Sequence, residues 1–131
     1  MVRAIIPGIA ADSQELVDGY HAADVFLLPS IHEPFGIVIL EAWAAGLPVL
    51  ASRVGGVPHF VEEGRDGLLF DPHDDASFLT AFRAIIGDRD RARGLADVGR
   101  SKACAQYDWD TVTGNLLKIY EEVVAEHPIR Q

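Results

Sequence analysis

The chain has 131 residues, 49% of them hydrophobic, which suffices for one buried core and argues against both intrinsic disorder and several domains. Eleven Lys and Arg set against twenty Asp and Glu give a formal charge of −9, a balance that repels a phosphate backbone and excludes nucleic acid as the expected partner. The lone cysteine, Cys104, rules out an internal disulfide or a cysteine-based zinc site and fits a reducing, cytoplasmic setting, while apolar stretches such as 42–52 fall short of the roughly 18 residues a membrane helix needs.

The first ten residues carry one Arg and a short apolar run stopped by Pro7, unlike a signal peptide. Short apolar runs without alternation follow one another at 3–6, 25–28, 48–51 and 68–70, each bounded by Gly, Pro, Asp or Ser. Such runs suit strands buried on both faces of a parallel sheet. Between them the period becomes helical. Leu16, Tyr20 and Ala23 mark a first helix, with Asp12 and Glu15 spaced as a capping box. A second helix begins around 34–36 and stops at Gly46 before Pro48; it is apolar almost all round and should be buried. A third, shorter one follows Gly55-Gly56 and ends at Gly64.

After residue 71 helices take over. Asp71-Pro72 reads as a cap and first turn before Phe78, Phe82, Ile85 and Ile86, and Gly87 reads as a stop. Residues 89–105 form a charge-rich helix in which Arg89, Arg91 and Arg93 are a solvated face. Residues 109–125 form an amphipathic one behind an Asp108 cap, with Val112, Leu116, Ile119, Tyr120 and Val123 on one side. The expectation is a single α/β domain over 1–131: a Rossmann-like parallel sheet of about four strands, flanking helices, and a helical C-terminal tail packed on that core.

The informative stretch runs from Pro29 to Val49. A strand, a tight loop and a helix N-terminus meet there, which is where ligands bind in open α/β sheets. Gly36 admits close approach to the backbone, and the free N–H groups around Phe35, Gly36 and Ile37 favour an anion or a set of hydroxyls. Glu33 precedes the helix and Glu41 follows eight residues on, a separation of up to roughly 12 Å at the helical rise. That exceeds the roughly 5 to 9.5 Å of a glycosidase acid pair and suits two grips on one long ligand. Glu41, among apolar neighbours, should have a dedicated partner. Read singly, Glu33 would be a solvated loop acid, Glu41 an ion-pair member, Phe35 core packing, and Gly55-Gly56 a turn serving the next helix. The five histidines lack metal-ligand spacing and read as surface or supporting residues.

Together these residues resemble a known family. Glu33-Pro34-Phe35-Gly36, Glu41-Ala42, Gly46-x-Pro48-Val49, Gly55-Gly56 and Gly67-x-Leu69 resemble the C-terminal domain of GT-B, family 4 (group 1, glycogen-synthase-related) retaining glycosyltransferases, which carry a Glu-x7-Glu motif. The resemblance spans about 2–124, with Trp109 and Tyr120 in its last helices. It implies a nucleotide-diphosphate sugar as substrate, transfer to a hydroxyl acceptor with retention, no bound metal and no cofactor. Glu33, placed at the reacting sugar, would be the catalytic residue and would hold the sugar's hydroxyls with the backbone at Phe35 and Gly36; Ile37 and Val38 would turn amides to the diphosphate, and Glu41 would hold the ribose. The base would rest near 5–7. His59 departs from the pattern, standing where the family commonly has an acid. The basic diphosphate clamp and the acceptor site would lie in an N-terminal domain and first βαβ elements that this chain is expected to lack, leaving it inactive alone.

Rival readings are a non-catalytic binding or assembly module on the same fold, and a phosphorylase or epimerase. A pyridoxal-dependent phosphorylase is disfavoured because the lysines, Lys102 and Lys118, fall in the helical tail. The resemblance implies the strand order 3-2-1-4-5-6, with 3–6 third and 25–28 fourth. The strand at 25–28 would then have an open edge, so the strand at 3–6 is expected to move in beside it and the chain to self-associate.

Overall fold

The computed structural model describes residues 13–127. Its elements run α1 (Gln14–Ala22), β1 (Phe26–Leu28), α2 (Ile37–Ala44), β2 (Val49–Ser52), α3 (Val57–Phe60), β3 (Leu68–Phe70), α4 (Asp75–Gly87), α5 (Arg89–Gln106) and α6 (Trp109–Glu126). The three strands are parallel in the order β1-β2-β3, with Phe26 opposite Val49 and Leu50 opposite Leu68. Among the described residues the sheet thus has three strands where about four were expected, and the run at 3–6 lies outside them, as does the site expected for the base. The repair of the β1 edge by that run falls there too.

Every residue of β2 is buried, as the centre of a parallel sheet requires, and its alternation divides the core in two. Val49 and Ala51 face a cluster built from Ile39, Ala42 and Trp43 of α2 with Val57 and Phe60 of α3. Leu50 faces the other cluster, with Leu68, Phe70, Ile85 and Leu95. Ser52 Oγ, buried in the same strand, donates to the Leu28 carbonyl at 3.2 Å.

Helix α5 closes the first cluster through a close approach. A Cβ on Gly99 would fall 2.3 Å from Trp43 Cδ1, so glycine is what lets α5 lie on the indole. Trp43 Nε1 donates to the Asp66 carbonyl at 3.0 Å. The Asp66 side chain is fully buried and accepts from the Glu62 amide and from Lys102 Nζ, both at 2.8 Å, while Lys102 also donates to the Phe60 carbonyl and to Glu62. This polar knot fastens α5 to the turn between α3 and β3.

Several local expectations change. Ser13, with its side chain accepting from Leu16 N, caps α1 in place of the Asp12–Glu15 box. Asp71 is engaged in a turn, accepting from His73 N at 2.9 Å, so Asp74 caps α4 three residues later. Helix α3 is one turn ending at Phe60, with Val61 as its C-cap, because the chain must bend back there to place Asp66 in the knot. Helix α2 is buried only through Ile39, Ala42 and Trp43, and Ile37 is 62% exposed. Helix α6 buries none of its residues: Leu116, Ile119, Tyr120 and Val123 all stay exposed, contrary to the expectation that the tail packs on the core.

Candidate functional site

The loop leaving β1 reaches α2 through Gly36, which has φ +92° and is buried. That left-handed backbone suits glycine alone, and an added Cβ would press to 3.3 Å from Ile39 Cδ1. Being glycine, it supplies no side-chain cap. Its carbonyl accepts from Ile39 N at 2.9 Å, which leaves the Ile37 and Val38 amides without a helical acceptor. The helix therefore opens on uncapped donors at the carboxyl end of the sheet, where the positive pole of its dipole favours an anion.

The loop itself is seated by residues far away in sequence. Gly56 N donates to the Glu33 carbonyl at 3.1 Å. A Cβ on Gly55, at φ +53°, would lie 1.9 Å from that carbonyl oxygen, and one on Gly56 would lie 2.3 Å from the Pro34 carbonyl. The Gly55-Gly56 pair is thus the floor beneath Glu33 and Pro34 as well as a turn before α3. Two adjacent glycines just past the end of the neighbouring strand were the visible signal, though not of this role.

Glu33 is half-buried, with Oε2 3.5 Å from Ser30 Oγ. Phe35 is 44% exposed rather than core; its ring stacks on Phe60 with centroids 5.0 Å apart and meets Tyr107 edge-on at 6.4 Å. The ring braces the loop and leaves the backbone free to act. Glu41 is exposed, one helical turn beyond the exposed Ile37, so both lie on the open side of α2. Its expected partner exists and is a neutral one: Tyr20 of α1 donates its hydroxyl to Glu41 Oε2 at 2.8 Å. Burial, helped by the hydrogen bond to Glu41 and its charge, pushes the Tyr20 phenol well above its ordinary range.

Between residues 13 and 70 the Lys and Arg side chains are Arg53 and Arg65, and each is paired, with Glu63 at 2.8 Å and with Glu62 respectively. All five histidines are exposed, and among the described residues no group of three or more His, Cys, Asp or Glu could hold a metal. No described helix is long and apolar enough to cross a membrane. The junction therefore offers carboxylates for hydroxyls at two places and open amides for an anion between them.

Known proteins resemble this chain in both sequence and fold. The profile of the family described as glycosyl transferases group 1 matches residues 9–102, more than half of the chain. A D-inositol 3-phosphate glycosyltransferase of Corynebacterium kroppenstedtii is 36% identical over 115 residues, which is 88% of this chain and 25% of that protein. Sucrose-phosphate synthase from Thermosynechococcus elongatus superposes with a TM-score of 0.76 at 37% identity, over 86% of this chain and 28% of its own. Anabaena HepE, solved in complex with UDP-glucose, superposes with a TM-score of 0.71 at 28% identity, over 79% of this chain and 29% of its own. The chain thus spans about a quarter of the length of the curated relatives it matches. The profile match and the parallel α/β sheet shared with its structural neighbours agree: the chain belongs to the glycosyl transferases group 1 family, with the GT-B architecture of those neighbours.

Proposed function

We propose that this chain forms the donor side of a retaining glycosyltransferase, one that moves a sugar from a nucleoside diphosphate to a hydroxyl acceptor. The observation that carries the reading is the junction at 33–41, where Gly36 leaves the Ile37 and Val38 amides uncapped between two accessible glutamates. A nucleotide sugar has the matching order of groups: sugar hydroxyls, diphosphate, ribose hydroxyls. In this reading Glu33 and the backbone at Phe35 and Gly36 hold the sugar, the Ile37 and Val38 amides face the diphosphate, and Glu41 accepts from the ribose. HepE, bound to UDP-glucose on the same fold, supports it.

Chemically, the glutamate at the sugar is the one whose hold matters for rate. Grip on hydroxyls fixes the anomeric carbon relative to the incoming acceptor, and such positioning contributes most in the transition state. Glu41 is one helical turn or more from that centre and contributes binding. The diphosphate carries charge that two amides and a helix dipole balance only in part, and among the described residues up to 70 the basic side chains, Arg53 and Arg65, are already paired. The remaining counter-charge and the acceptor site therefore come from the rest of a full-length enzyme, in keeping with the quarter-length coverage.

Calorimetry of the 131-residue chain with UDP- and GDP-sugars tests this. Dissociation constants no tighter than about millimolar are expected, equivalent to roughly 4 kcal/mol, together with no transfer to any acceptor. Micromolar binding or turnover by the chain alone would overturn the assignment of the clamp and acceptor site to other parts of the enzyme.

A further inference from the structure

Tyr20 stands outside the donor contacts just described, yet its hydroxyl ends on one of them. It lies near the end of α1, a helix that buries none of its residues, and its ring packs on the edge of the α2 cluster, 5.8 Å from the Phe26 ring centroid. From there the hydroxyl crosses to Glu41 Oε2 at 2.8 Å, joining residues 21 positions apart.

Glu41 is solvent-exposed and has three side-chain torsions, so without a partner it would sample many rotamers and lose that freedom whenever it gripped a ligand. A phenol held by a packed ring removes the freedom beforehand. An ionised carboxylate has about four acceptor positions on its two oxygens. The Tyr20 O–H takes one of them on Oε2, leaving Oε1 and the second position of Oε2 for a vicinal diol. Since burial, with the hydrogen bond to Glu41, holds the phenol protonated, its proton stays committed to Glu41 Oε2.

Resting on the reading of Glu41 as the ribose holder, we propose that Tyr20 is a positioning residue that fixes the Glu41 carboxylate to accept both ribose hydroxyls, and thereby sets the preference of the site for ribonucleotide donors over deoxy ones. A purely structural tie between α1 and α2 would affect all nucleotides alike. The proposed role acts only on ligands that carry the diol.

The test uses the full-length enzyme, its Tyr20→Phe and Glu41→Gln variants and the double variant. The ligands are UDP or GDP, whichever the wild type binds, and the 2′,3′-dideoxy form of the same nucleotide. Tyr20→Phe keeps the ring and removes the hydroxyl. It should weaken the ribonucleotide by about 3- to 10-fold, the range for one lost hydrogen bond, and leave the dideoxy nucleotide and kcat at saturating donor unchanged. In the Glu41→Gln background the same change should add nothing. If Glu41→Gln lowers the ribo-to-dideoxy ratio and Tyr20→Phe does not, the Tyr20 inference fails and the donor reading stands. Equal weakening of both nucleotides with a lower melting temperature in Tyr20→Phe assigns a structural tie and likewise overturns it. If Glu41→Gln leaves the ratio untouched, the donor reading itself fails and the inference with it.

Discussion

Replacing Gly55 by alanine should damage the site more than any exposed substitution of equal size, and the structure gives the reasons separately. The residue has φ +53°, a region that costs an L-residue roughly 1–2 kcal/mol. The new Cβ would lie 1.9 Å from the Glu33 carbonyl oxygen, where real Cβ atoms essentially never come within 3.0 Å, so loop and turn must part by about an ångström. That separation breaks the Gly56 N–H to Glu33 hydrogen bond, which contributes about 0.5–1.5 kcal/mol. Together these give a loss of about 1.5–3.5 kcal/mol, or a fall of roughly 5–13 °C in Tm for a domain of this size. Gly46→Ala is the internal control, because it has φ +78° but nothing within 4 Å of its Cβ. It should show the backbone cost alone, about 1–2 kcal/mol. Gly114→Ala, helical and open, should be stabilising by roughly 0.5–1 kcal/mol. Thermal unfolding of the three variants ranks them, and donor turnover in the full-length enzyme should fall for Gly55→Ala alone, since an ångström of misplacement at Glu33 is costly. Equal Tm losses for Gly55→Ala and Gly46→Ala, with turnover intact, would refute the claim that the glycine pair seats the Glu33 loop.

Steady-state kinetics of the full-length enzyme should separate the two glutamates, with Glu33→Ala chiefly lowering kcat and Glu41→Gln chiefly raising KM for the donor by about 10- to 100-fold, as expected for one charged hydrogen bond; unchanged kinetics in both would return them to structural roles. Lys102→Met should cost about 3–5 kcal/mol in urea unfolding, because Asp66 is fully buried and Lys102 is its ionic partner; a loss below about 1 kcal/mol would show the knot to be dispensable. The Arg65 and Lys102 hydrogen bonds hold the Glu62 carboxyl below its ordinary value of 4.5, so its contribution is present above that pH and is lost as pH falls through the lowered folded value. Melting temperature should therefore drop below about pH 4.5, and Glu62→Gln should flatten that part of the curve.

The sequence by itself determined whatever depends on near neighbours. Parallel-strand runs, helix periods, the stops at Gly46 and Gly87 and the loop-to-helix junction with Glu33, Gly36 and Glu41 are all written within a few residues of where they act. The site motif was legible for that reason: uncapped amides and the positive φ of Gly36 are consequences of local chain geometry. Even a local reading failed where the next turn intervened: Asp71 before Pro72 reads as the α4 cap, but it is drawn into a turn as the chain leaves β3, and Asp74 caps instead. Only the tertiary structure decided what joins distant segments. The seating of Glu33 on Gly55, the Tyr20 hydroxyl on Glu41 and the burial of Asp66 under Lys102 link residues tens of positions apart, and no period of 2 or 3.6 encodes such pairs. The stripe on α6 marks the same boundary from the other side, for its spacing announces an apolar face while the described chain leaves that face exposed. Periodicity specifies which side of a helix is apolar; which surface covers it is settled by contacts that a linear pattern does not contain.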